Sequence, residues 1–239
     1  MGGHMTTIEL VSTAKQLIKA SNHGNHPQLI EILQSFQARN TLKWCQDSIN
    51  WTIGSLMYCL DRTTNNSRHQ LVPIAFKILT NLIKNPKTHS RILSGLRIFS
   101  SQHNMPHSVL IIPRLIVWID EYQAIPESFF LAHELIHLQI EYPSHDQFEG
   151  LLPTLLNQIQ QRIHTCYKHP LDSITIETLE LIWKHFPIAF DQLINRFDRR
   201  TRHHVIGKLK IQWPRGWMHE SRATKVVWWK KQGFFRQLT

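Results

Sequence analysis

Between residues 6 and 198 the apolar side chains recur three and four positions apart, and this period restricts the chain to packed helices. Ile8, Val11, Ala14, Leu17 and Ile18 repeat in this way until Ser21-Asn22-His23-Gly24-Asn25 stops them. Pro27 then opens a second stripe of Leu29, Ile32, Leu33 and Phe36. The same reading predicts helices over 42–61, 71–84, 87–100, 126–141, 144–167, 173–185 and 187–198, with the polar run 62–70 as a loop. Residues 109–122 are β-branched enough for a strand, but Pro113 forbids a central one, so they too are read as helix. Paired in order, the ten helices make hairpins beginning near residues 6, 42, 87, 126 and 173, a spacing of about 42 that falls within the range of HEAT and armadillo repeats. The fold expected is predominantly α: stacked antiparallel helical hairpins, either a HEAT/armadillo-like solenoid or an irregular helical bundle, with a small C-terminal β-ribbon.

The ribbon follows from a change of period after Asp198. Lys208-Leu209-Lys210-Ile211-Gln212-Trp213 alternates strictly, and residues 224–229 are β-branched and aromatic. Such a ribbon is marginal alone and would rest on the helices through Leu209, Ile211 and Trp213. Three parts are expected: 1–5, an expression scar; 6–198, an α-helical domain; and 199–239, a basic, aromatic-rich segment packed on it.

Charge is distributed very unevenly along the chain. Its formal net charge is +10, and residues 1–195 balance their acids and bases, so the whole excess lies from Arg196 onward. There Arg199, Arg200, Arg202, Lys208, Lys210, Arg215, Arg222, Lys225, Lys230, Lys231 and Arg236 face only Asp198 and Glu220. Four of the eight tryptophans are interleaved with them, among them Trp217 and Trp229. Cations neutralise phosphates and flat rings stack on bases, so this segment is expected to bind nucleic acid, RNA or single strands before duplex DNA. An acidic protein would satisfy the same charge, which makes an interaction adaptor an alternative. Anchoring to anionic lipid fits less well, because the aromatics are not gathered on one amphipathic helix.

A second signal is His133-Glu134-Leu135-Ile136-His137, an HExxH on a predicted helix. Four-residue spacing places both imidazoles on one face, where they could hold Zn²⁺ while Glu134 serves as general base. This segment resembles the active-site helix of zincin metalloproteases, which implies a zinc-dependent peptidase as a further alternative. That resemblance requires a third ligand, for which Glu149 is the first candidate, with His145, Glu177 and Glu180 behind it. The chain departs from the pattern in lacking the HExxHxxGxxH extension and in placing Gln139 where a hydrophobic residue is usual.

Remaining features narrow the classes. No Gly-rich phosphate loop occurs, which argues against a nucleotide-driven enzyme. Cys45 and Cys59 fall on one predicted helix about 21 Å apart, beyond disulfide reach, and with Cys166 form no CxxC, so a reducing compartment, cytoplasmic or nuclear, is expected. The longest apolar run, 109–119, is interrupted by Pro113 and Arg114 and is too short to span a bilayer.

Overall fold

A computed structural model describes residues 7–37, 45–84, 89–90, 93, 111–143, 148–165 and 171–209. Among the described residues the fold is predominantly helical and contains no strand. Ten helices follow in order: α1 (Thr7–Asn22), α2 (His26–Gln37), α3 (Gln46–Arg62), α4 (Asn65–Ile83), α5 (Ile111–Glu121), α6 (Pro126–Glu141), α7 (Leu151–Thr165), α8 (Ser173–His185), α9 (Pro187–Ile194) and α10 (Arg199–Lys208). The chain divides into two compact units, Met1–Thr154 and Leu155–Thr239.

In the first unit α1 packs on α2 and on α3, while α4 packs on α2, α3 and α6, and α5 lies against α6. The α1–α2 corner is set by Gly24 at φ +63, a left-handed position that side chains disfavour. Asn25 N–H donates to the Ala20 carbonyl at 3.1 Å and Gly24 N–H to that of Ser21 at 3.2 Å, closing the end of α1. α4 is the central helix. Leu71, Val72, Ala75, Phe76, Ile78, Leu79, Leu82 and Ile83 are all buried, an apolar surface wide enough for three neighbours. On α3 two buried hydroxyls are satisfied within the helix, Thr52 donating to the Ser48 carbonyl at 2.8 Å and Ser55 to that of Thr52 at 3.0 Å. Cys59, also buried there, has its thiol pushed up to about 11 by desolvation, which keeps it protonated and inert.

Two boundaries differ from the sequence expectation in ways that matter here. The polar run 62–70 is not a loop: Thr64 takes the extended conformation before α4, and residues from Asn65 on are helical. Arg68 closes the corner by donating to the carbonyls of Leu60 at 3.0 Å and Thr63 at 2.9 Å, while His69 and Gln70 face water. Similarly, Asp198 does not end the last helix. α9 stops at Ile194, and Asp198 caps a further helix, α10, in which Lys208 is the last residue instead of a strand residue. Within the span 109–122, Ile111–Glu121 is helical as expected, with Pro113 in the first turn of α5. Most of the helix expected over 87–100 lies outside the described residues, as does the proposed ribbon beyond Leu209.

Candidate functional site

α10 is built by its N-cap. The Asp198 carboxylate accepts from Arg200 N–H at 2.9 Å and Thr201 N–H at 3.0 Å, and from the Thr201 hydroxyl at 2.6 Å. Those bonds, led by the Thr201 hydroxyl, hold the Asp198 carboxyl below its ordinary range. Thr201, Val205 and Leu209, four residues apart, are buried and fix the helix to its unit. At about 100° per residue, the remaining exposed positions fall in one arc of about 180°, in the order Arg199, His203, Gly207, Arg200, His204, Lys208. No carboxylate lies on that arc. Just before it, Arg196 reaches Asn157 and Gln160 of α7 at 3.4 and 3.2 Å, an exposed cation held by neutral partners.

The expected nucleic-acid residues therefore separate. Arg199, Arg200 and Lys208 are exposed, whereas Arg202 turns inward, half-buried, and donates to the Phe197 carbonyl at 3.1 Å. Lys210, Arg215, Trp217, Arg222, Lys225, Trp229, Lys230, Lys231 and Arg236 lie outside the described residues.

The HExxH sits on α6 at the face toward α4. His133 is 6% exposed and meets His137 edge to face, ring centroids 4.9 Å apart at 81°. Burial, then the neighbouring His137 and the Lys84 ammonium, lower His133 to about 4. Burial also lowers His137, with His89 adding to it, and raises Glu134 against the opposite pull of Lys84 and His89. Sequence reading missed His89 and Glu141. His89 is buried, its Nε2–H donating to the Ile83 carbonyl at 2.8 Å while Nδ1 pairs with the Glu141 carboxylate. Glu141 had a signal, since it continues the His133/His137 spacing by four residues. His89 had none, being 52 residues away in the chain.

The described residues do not by themselves complete a catalytic zinc site. Such a site needs three protein ligands converging on one point, and among the described residues no three His, Cys, Asp or Glu do so. Glu149 is exposed in the turn before α7, Glu177 and Glu180 lie on α8 of the second unit, and His145 is outside the described residues. The described partners of His89 are a carbonyl and a carboxylate, an arrangement that ties helices together.

No known protein family, curated protein or solved structure matches this chain. No described helix is long and apolar enough to cross a membrane.

Proposed function

We propose that this is a helical scaffold protein that binds nucleic acid through its basic C-terminal region, with α10 as the leading contact. The observation that carries the reading is the exposed arc of α10, which offers Arg199, Arg200 and Lys208 without a carboxylate among them. Arg199 and Arg200 also stand in the first turn, where the helix dipole already disfavours cations. That placement suits an anionic partner better than it suits the free helix. The helices of the first unit form the scaffold: α1 over α3 and α2 over α4 pack like on like, which supports reading them as stacked hairpins in the manner of HEAT or armadillo repeats.

Binding of a labelled oligonucleotide to the full chain, measured against salt, tests this. Log affinity should fall linearly with log salt, by about 0.9 per phosphate neutralised on a duplex and about 0.7 on a single strand. Replacing Arg199, Arg200 and Lys208 together by Ala should weaken binding and lower that slope. Unchanged affinity in the triple variant defeats the reading, and polyglutamate competing as well as nucleic acid would favour the adaptor instead.

A further inference from the structure

The single-strand preference rests on Trp217 and Trp229, outside the described residues, whereas the described part of the interface has a different shape. We propose, building on the nucleic-acid reading, that α10 is a groove-reading helix for duplex DNA, entering the major groove with Gly207 at its closest approach. Three observations converge on this. The first is the connection: α9 ends at Ile194 and α10 begins at Arg199, so two short helices are joined by four residues, a length that a helix-turn-helix connection also has. The second is the distribution of charge. Arg199 and Lys208 lie at opposite edges of the exposed arc, separated across the helix by its breadth with side chains, about 10–12 Å, and along its axis by about 13.5 Å, and the B-DNA major groove is about 12 Å wide. Cations at the two edges thus meet the two phosphate ridges, while His203, Arg200 and His204 between them present N–H donors toward base edges. The deep, narrow groove of A-form RNA would not admit the helix.

Gly207 supplies the third observation. It lies near the middle of the arc, within the last turn of α10. A helical glycine costs about 1 kcal/mol relative to alanine. Nothing described in the folded chain requires it: its φ is not left-handed, and a Cβ built on it would meet no described atom within 4 Å. A bare backbone at the centre of a basic face admits close approach from outside, as glycines do where backbone meets a ligand.

The test selects from a random-sequence duplex DNA pool with the full chain, then compares the enriched duplex with its single strand and with duplex RNA of the same length. A common motif should emerge, and its duplex should bind at least about tenfold tighter than the other two. Gly207→Leu should weaken the duplex by about tenfold and the single strand by less than about twofold. Gly207→Ala should leave the free protein as stable or more so. A pool that does not converge, a single strand that binds as tightly, or equal losses on both strands would overturn the inference. So would a lower melting temperature for the free Gly207→Ala protein, because the close contact would then be internal. If the full chain binds none of these nucleic acids in a salt-dependent way, the nucleic-acid reading fails as well. If the Arg199/Arg200/Lys208 variant loses binding while Gly207→Leu loses none, only the groove assignment fails.

Discussion

His133 shows how one buried side chain sets a pH limit for its unit. It titrates near 6.5 when free and at about 4 when folded, so the unfolded chain takes up its proton first as the medium is acidified. Its contribution to stability is complete above about 6.5 and is lost as pH falls toward 4, at up to about 1.4 kcal/mol per pH unit. His137, lowered for the same reason, adds to this acid limb. Glu134 acts in the opposite direction, since a carboxyl raised above 4.5 on folding favours the folded state on the acid side. Thermal melts between about pH 7.5 and 4.5 should therefore show a falling Tm, and His133→Leu should flatten the fall. An unchanged slope in that variant would mean that His133 is solvated. The tie from His89 to Glu141 and Ile83 is separable from this effect: His89→Ala should cost about 1–3 kcal/mol at neutral pH, measured by urea unfolding, because it leaves a carbonyl without its donor.

At the scale of the element, the second unit depends on two capping aspartates. Asp172 accepts from Thr175 N–H at 2.8 Å at the start of α8 and pairs with Arg162 of α7 at 2.7 Å. Asp172→Ala should cost about 0.5–2 kcal/mol, and Asp172→Asn, which retains the cap acceptor, should recover part of it in the same urea titration. Equal losses would assign the whole effect to the Arg162 pair. Asp198 serves α10 in the same way, and it was visible in the sequence, because an Asp followed by Thr201, Val205 and Leu209 four residues apart is a capped helix stripe. The reading failed there because the alternation from Lys208 onward competed with that stripe, and Lys208 and Leu209 satisfy both periods. α4 failed for a different reason. Its first turns carry no apolar stripe, and their helical state depends on Arg68 closing the corner to α3.

For the whole molecule the important fact is that charge and core are segregated along the chain. Residues 210–239 hold seven of the twelve C-terminal cations and one acid, while Arg199, Arg200 and Lys208 stay on α10. Deleting 210–239 should therefore weaken nucleic-acid binding and reduce its salt slope, yet leave residual, salt-sensitive binding through α10. Complete loss of binding in a deletion variant that retains its helical circular dichroism would show that α10 contributes nothing. No change would show the same of the segment beyond it.

The sequence by itself determined the helical class, most helix positions, the placement of charge and the presence of two histidines on one helical face, because each of these is a local or additive property of the chain. Tertiary structure decided what those residues do. It turned Arg202 inward to a carbonyl and kept Arg199, Arg200 and Lys208 exposed, although all four are basic in the sequence. It brought His89 to Glu141 across 52 residues, and it brought no third ligand among the described residues to the pair that resembled a zinc site. The physical reason is the same in each case: exposure and convergence depend on which helix packs on which, and periodicity specifies the buried face of each helix without naming its partner.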